Sequence, residues 1–319
     1  MQKSDEPNDC IVQMQGVSKS FPGVKALDKV DFQLKKGEVM ALLGENGAGK
    51  STLMKILSGV YQRDEGAVSV FGKDIDVNLT PRKSQDLGIT IIHQELNMCQ
   101  HLTVAENIFL GRELLTRDGR LDDKGMNQAA ERVLQRLRID IRATDVVGSL
   151  QLSKRQMVEI ARALSTDARV LIMDEPTSAL TAREIQDLFQ IIRQLRDEGR
   201  SIIYISHRLE ELQHIVDRVT ILRDGRHIRT MAWADTSLPE IISLMVGRDI
   251  REKFPRVESA RGRKIFDVQG LNAGRLVRDV SLTLYEGEIL GISGLIGAGR
   301  TETTRAIVGV DHKDSGRLV

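Results

Sequence analysis

Gly44-Glu45-Asn46-Gly47-Ala48-Gly49-Lys50-Ser51 decides how this chain is read. It fits the spacing Gly-x-x-x-x-Gly-Lys-Ser/Thr, follows the apolar run Val39 to Leu43, and opens an apolar-periodic segment through Thr52, Leu53, Ile56 and Leu57. A strand, a glycine loop and a helix in that order make a phosphate cradle. The glycines let successive backbone N–H groups close around phosphate oxygens, and the helix N-terminus adds its positive dipole. In such a P-loop Lys50 reaches the terminal phosphates of a nucleotide and Ser51 offers a hydroxyl to Mg²⁺.

A second stretch supplies what the loop lacks. Val170 to Met173 is a continuous apolar run, as a strand buried on both faces requires, and it ends in Asp174-Glu175. The carboxyl ends of strands are where α/β sheets place their ligands. Asp174 is therefore expected to hold Mg²⁺ through water, and Glu175 to polarise an attacking water. Acids at a strand end are often plain solvated surface; the P-loop upstream gives these two their meaning.

The remaining segments read as α/β material. Ser201 to Ser206 repeats the buried-strand pattern, and Arg223-Asp224-Gly225-Arg226 reads as a hairpin turn because Asp-Gly tolerates positive φ. Met126, Ala129, Ala130, Val133, Leu134 and Leu137 fall at helical spacing within a polar region, Arg112 to Gly148. Two further helices are expected, through Met157, Ile160, Ala161 and Leu164 and through Ile185, Leu188, Phe189, Ile192 and Leu195.

Composition narrows the partners. With 46 Lys+Arg against 45 Asp+Glu the formal charge is +1, so no strong positive field draws nucleic acid. Aromatic residues at 3% disfavour stacking platforms for single strands. Cys10 and Cys99 are the two cysteines and cannot build a disulfide framework, so a reducing compartment is expected. The polar stretch Met1 to Cys10 lacks a signal peptide's apolar core, and no run approaches the roughly 18 apolar residues of a membrane span.

At 319 residues the length suggests about two domains. From Arg248 to Lys264, ten of seventeen residues are charged, which is linker composition. Beyond it Gly287-Glu288-Ile289-Leu290-Gly291-Ile292-Ser293-Gly294 restates Gly37 to Gly44, 250 positions on. The register holds without a gap: Gly49 maps to Gly299, Lys50 to Arg300, Ser51 to Thr301, Gly59 to Gly309 and Gly66 to Gly316. A second copy of the first domain begins near Ile265. Its 55 residues against about 250 in the first copy read as a domain cut off early.

Met173-Asp174-Glu175-Pro176-Thr177-Ser178-Ala179-Leu180, preceded by Gln156 to Leu164 and followed by Ser206-His207, resembles the ATP-binding cassette (ABC) ATPases. The resemblance implies an α/β P-loop fold with a helical subdomain at about 95–165 in a first domain over 1–247, a linker over 248–264, and the opening of a second domain over 265–319. It also implies that Phe21 stacks on adenine, Gln94 touches Mg²⁺ and the water, and His207 meets the γ-phosphate; Phe21 as a core contact, Gln94 as a surface group and His207 as a capping histidine are the plain alternatives. Phe21 to Leu27, Leu102 to Ile108, Gln156 to Ala161, Tyr204 to Arg208 and Met245 to Arg248 look like the duplicated ATPases of bacterial monosaccharide importers. That likeness implies a peripheral protein on the cytoplasmic face of the inner membrane, docked on permease subunits through the region Gln94 to Arg112. A periplasmic sugar-binding protein would be an indirect partner. A soluble ABC ATPase acting on ribosomes or DNA is the rival, disfavoured by the charge balance; a nucleotide-binding fragment without turnover is a third reading.

The chain departs from the family in two places. ABC domains pair head to tail, each nucleotide lying between one P-loop and the partner's Leu-Ser-Gly-Gly-Gln signature. Here the signature reads Leu150-Gln151-Leu152-Ser153-Lys154, without either glycine. A rival frame, Leu152 to Gln156, keeps Leu-Ser-x-x-Gln but leaves too few residues before the helix. The second P-loop, Gly294-Leu295-Ile296-Gly297-Ala298-Gly299-Arg300-Thr301, puts the planar fork of Arg where Lys belongs. Only four residues separate Gly270-Leu271 from Leu276, so Phe21 has no full counterpart. Both defects fall on one composite site. The expectation is one degraded site and one competent site, the latter using Phe21, Lys50, Ser51, Gln94, Asp174, Glu175 and His207 and completed by a signature from a second ABC domain or another copy.

Overall fold

Apolar residues alternate with polar ones along Cys10–Phe21 (β1) and Val24–Lys35 (β2), and the two pair antiparallel with Val12, Met14, Leu27, Phe32 and Leu34 turned inward. The next strand, Val39–Leu43 (β3), has no polar position, and all five of its residues are buried. It enters the glycine loop and the helix Lys50–Leu57 (α1). Then follow Glu65–Val70 (β4), Lys73–Asp74 (β5), Pro81–Asp86 (α2), Ile89–Ile92 (β6), Val104–Phe109 (α3), Asp123–Arg136 (α4), Leu152–Leu164 (α5) and Val170–Asp174 (β7). Ala182–Asp197 (α6), Ser201–Ile205 (β8), Leu209–Leu212 (α7), Arg218–Arg223 (β9), Arg226–Ala232 (β10) and Leu238–Val246 (α8) complete this part. The structure, a computed structural model, describes residues 9–92, 98–137, 139–166, 168–177, 180–206, 208–247, 262–294 and 297–319.

The strands form two sheets, one antiparallel in the order β2-β1-β4-β5, the other mainly parallel in the order β10-β9-β3-β8-β7-β6. In the second sheet β9, β3, β8, β7 and β6 run parallel and only β10 runs against its neighbour. Strand alternation sorts the apolar side chains onto its two faces. Val39, Ala41, Leu43, Leu171, Met173, Ile202 and Tyr204 pack toward α3, α4, α5 and α6, whereas Met40, Leu42, Val170, Ile172, Ile203 and Ile205 pack toward α1 and the antiparallel sheet. Burial on both faces is why these strands read as unbroken apolar runs.

The expected helices form where the spacing put them. α4 buries Met126, Ala130 and Leu134, α5 buries Met157, Ile160, Ala161 and Leu164, and α6 buries Ile185, Leu188, Phe189, Ile192 and Leu195. α6 starts at a capping box in which the Thr181 side chain accepts from the Glu184 N–H while the Glu184 carboxylate accepts from the Thr181 N–H. The Asp-Gly turn is present, with Asp224 at φ 52° and Gly225 at φ 72°. Among the described residues no helix is long and apolar enough to cross a membrane.

The chain divides into two compact units, Met1–Asp249 and Ile250–Val319. In the second, Lys264–Ala273 (β11), Val277–Tyr285 (β12) and Ser315–Leu318 (β13) form an antiparallel sheet in the order β12-β11-β13, with the helix Arg300–Ile307 (α9) packed on it. Hydrogen bonds repeat at the sequence offset: Lys35 N–H donates to Glu38 Oε2 at 2.7 Å and Tyr285 N–H to Glu288 Oε2 at 3.0 Å. Two details differ from the sequence reading. Lys264, drawn into the charged linker by composition, already pairs with Tyr285 at the start of β11, where its ammonium meets the Asp267 carboxylate at 3.1 Å. Residues 289–293, the counterpart of β3, form no strand, and Ile289 is 99% exposed. The strands that flank β3, namely β8 and β9, have no counterpart among the described residues of this unit.

Phe189 is 1% exposed in the α6 layer. Phe189→Ala should lower unfolding stability by about 3–5 kcal/mol in urea titration; a loss under about 1 kcal/mol would contradict this account of the core.

Candidate active site

The loop after β3 takes its shape from positions that only glycine fills without strain. Gly49 caps α1 at φ 98°, and a Cβ there would lie 2.6 Å from Leu27 Cδ2 and 2.7 Å from the Ala26 carbonyl oxygen. A Cβ on Gly44 would lie 2.3 Å from the Leu222 carbonyl oxygen. The loop turns back through a bond from Ala48 N–H to the Glu45 carbonyl at 3.1 Å. Lys50 Nζ donates to the carbonyls of Gly44 at 2.8 Å and Glu45 at 3.0 Å, which sets its ammonium over the loop. Burial holds the Lys50 pKa below the ordinary lysine value, and the Asp174 and Glu175 carboxylates pull the other way. No acidic residue sits in the first turn of α1 itself; the negative group at its positive end comes from β7.

β7 delivers the acids. Its last residue, Asp174, pairs with Ile205 of β8, and Ser51 Oγ donates to Asp174 Oδ2 at 3.4 Å. A serine hydroxyl and a carboxylate are hard oxygen donors of the kind Mg²⁺ takes, so this pair fits the ion. Glu175 follows in the left-handed region at φ 47°, its N–H bonded to the Ile205 carbonyl at 2.9 Å. A non-glycine residue held there stores about 1–3 kcal/mol, and such outliers gather at functional sites.

These groups line one cavity of about 620 Å³, together with Phe21, Val24, Lys25, Ala26, Asn46, Gly47, Thr52, Asp224 and Gly225. The structure thus brings Phe21, the P-loop, Asp174 and Glu175 together. Gln94 and His207 lie outside the described residues. Three features escaped the sequence reading. Tyr61 stands edge-on to Phe21, with ring centroids 5.3 Å apart and planes at 67°. The β9–β10 turn, legible as a turn, also walls the cavity: Asp28 N–H donates to the Gly225 carbonyl at 2.8 Å, and Arg226 pairs with Asp28 at 2.8 Å. Lys25 pairs with Asp28 as well, and that contact first, then Arg226, holds the Asp28 carboxyl below its ordinary pKa.

The signature residues sit at the start of α5. Gln151 is its N-cap and makes no side-chain cap bond, while Leu152, Ser153 and Lys154 form the first turn. Leu150 and Gln151 precede the helix in the first frame; in the rival frame all five residues lie inside it. In the second unit Gly297 at φ 84° and Gly299 at φ 81° keep the loop's backbone, with Gly299 capping α9 as Gly49 caps α1. Arg300 and Thr301 open that helix, and Gly294 stands at the loop's start; Leu295 and Ile296 lie outside the described residues. Gly274 N–H donates to Asp314 as Ser20 N–H donates to Asp64, so Arg275 falls where Phe21 stands in the first copy.

Residues 27–178 match the sequence profile of the ABC transporter family. A Burkholderia cenocepacia protein named as a putative ribose/galactose/methyl galactoside import ATP-binding protein is 52% identical over 322 aligned positions, covering 100% of this chain and 63% of its own length. A ribose import ATP-binding protein of Rubrobacter xylanophilus is 50% identical over 309, covering 97% of this chain and 61% of its own. The chain thus spans about three fifths of the length of these curated relatives. Among solved structures, an ABC transporter's ATP-binding cassette in its ADP conformation matches with a TM-score of 0.64 at 27% identity, over 75% of this chain and 99% of that one. A nucleotide-free cassette matches with a TM-score of 0.63 at 27% identity, over 75% and 96%. Fold, loop geometry and these likenesses converge: residues 27–178 are an ABC transporter domain, built on the α/β P-loop fold of the ATP-binding cassettes.

Proposed function

We propose that the chain is the ATP-binding and hydrolysing subunit of a bacterial monosaccharide importer. The observation that carries the chemistry is the convergence of Phe21, Lys50, Ser51, Asp174 and Glu175 on one cavity. The names of the sugar-import relatives supply the cargo class. ATP would lie with its base against Phe21 and its phosphates on the N–H groups of the loop through Thr52. Lys50 exchanges two backbone carbonyls for phosphate oxygens, which are stronger acceptors. Ser51 and Asp174 would hold Mg²⁺, which when bound neutralises phosphate charge. Glu175 accepts a proton from the attacking water as its oxygen bonds the γ-phosphorus; the bond to the bridging oxygen breaks, giving ADP and phosphate.

We read 1–247 as the first ABC domain with its helical subdomain at about 95–165, 248–263 as a linker, and the unit that opens with β11 at Lys264 as part of a second domain. The near-zero charge fits a permease better than nucleic acid. Permease subunits on the cytoplasmic face of the inner membrane are the direct partner, a periplasmic sugar-binding protein the indirect one, and a second ABC domain or another copy completes the nucleotide site.

Three outcomes test this. Glu175→Gln should bind a fluorescent ATP analogue within about threefold of the parent while ATPase turnover falls at least about 100-fold; unchanged turnover would remove the assignment. Lys50→Ala should cost far more activity than Arg300→Ala, and equal losses would end the asymmetric reading of the two loops. In sedimentation assays the chain should pellet with membranes carrying a sugar permease and stay in solution with ribosomes; the reverse would favour the soluble alternative.

A further inference from the structure

Two loops meet behind the proposed general base. One follows β7 and carries Glu175 and Thr177; the other follows β8 and runs from Ser206 into α7. Thr177 is 2% exposed, and its hydroxyl donates to Glu211 Oε2 at 2.8 Å. The other carboxylate oxygen of Glu211 accepts from Arg208 at 3.0 Å, and the Arg208 N–H donates to Ser206 Oγ at 3.0 Å. Arg208 and Glu211 alone would be an ordinary i,i+3 ion pair of little consequence. The half-buried carboxylate, however, spends its second oxygen across the gap, on a buried hydroxyl two residues from Glu175. Tyr204 of β8 lies beneath, facing Thr177 and Glu211.

The left-handed Glu175 gives this contact a purpose. A strained non-glycine residue persists only where its surroundings over-determine it. One tie is the bond from Glu175 N–H to the Ile205 carbonyl. That bond ties Glu175 to the neighbouring strand β8, and α7, four residues long, has little stability of its own, so the bond between Thr177 and Glu211 also holds the two loops to each other. We propose that Glu211 is a positioning residue: by bridging Thr177 and Arg208 it locks the loop after β7 to the loop after β8 and so fixes the Glu175 carboxylate. The role rests on Glu175 being the general base, but the clamp itself does not.

The test uses the whole chain and two readouts. In Glu211→Gln the amide still accepts from Thr177, but its NH₂ opposes Arg208 and the clamp loosens. Amide hydrogen exchange at Glu175 should accelerate about tenfold or more while Ile172 and Ile203 keep parental rates. Turnover should fall about tenfold with the KM for ATP within about twofold, Glu211→Asp falling between. Thr177→Val should behave like Glu211→Gln, and combining the two should cost no more than either alone; it also serves if Glu211→Gln does not fold. Parental exchange at Glu175 overturns the proposal, as does faster exchange with undiminished turnover. A parent chain without ATPase activity would remove the function proposed above, and the exchange rates would still decide the clamp.

Discussion

The parallel register of β3, β7 and β8 is the constraint on which the rest depends. Val39 lies opposite Ile202, and Asp174 opposite Ile205, so the three strands end at nearly one level. Everything chemical hangs from those ends: the glycine loop from β3, the two acids from β7, and Ser206 with Arg208 from β8. A one-residue slip would turn each buried strand inside out, moving Leu43, Met173 and Tyr204 to the other face. Because both faces are packed, such a slip would misplace apolar side chains in two clusters at once. The precision of the site is therefore borrowed from the cores on either side of it.

Around this frame the protein spends strain in two places, and in each the backbone is tied down nearby. Gly49 turns the chain at the α1 cap against the Ala26 carbonyl, while the β9–β10 turn bonds Asp28 next door. Glu175 is bent into the left-handed region and bonded to the end of β8. Both ties cross between elements distant in sequence. The loops thus take their shape from the assembled sheet, and local sequence alone does not dictate it.

That division explains what was legible beforehand. Val39 to Leu43, Val170 to Met173 and the glycine spacing were readable because each records a local demand: burial on both faces, or N–H groups free to turn inward. The helix stripes of α4, α5 and α6 were readable for the same reason. Tyr61, Asp28 with Arg226, and Thr177 with Glu211 were not, since each acts through a partner 30 or more positions away that no periodicity marks. The left-handed Glu175 was hidden as well, because Pro176 steers its neighbour away from the helical region without naming the conformation adopted. The linker boundary at Lys264 slipped because charge at the exposed start of a strand looks like charge on a linker.

The internal repeat separates two kinds of information in one motif. The second copy forms its antiparallel sheet and its loop-capped helix around a small core of Val268, Leu271, Ala273, Val277 and Ala306. β11 and β12 form a hairpin, and β13 returns past α9 to pair with the other edge of β11, so all of these partners lie within the unit. Residues 289–293 instead need parallel partners, and parallel pairing requires long crossovers. Ile289, whose position matches Val39, is exposed. Yet Gly299 still caps α9 in the conformation of Gly49. The cradle's backbone is thus a property of the loop, the helix and the carbonyl it packs against. What the parallel sheet adds in the first unit is the placement of Asp174 and Glu175 opposite that cradle, which the loop and helix alone do not supply.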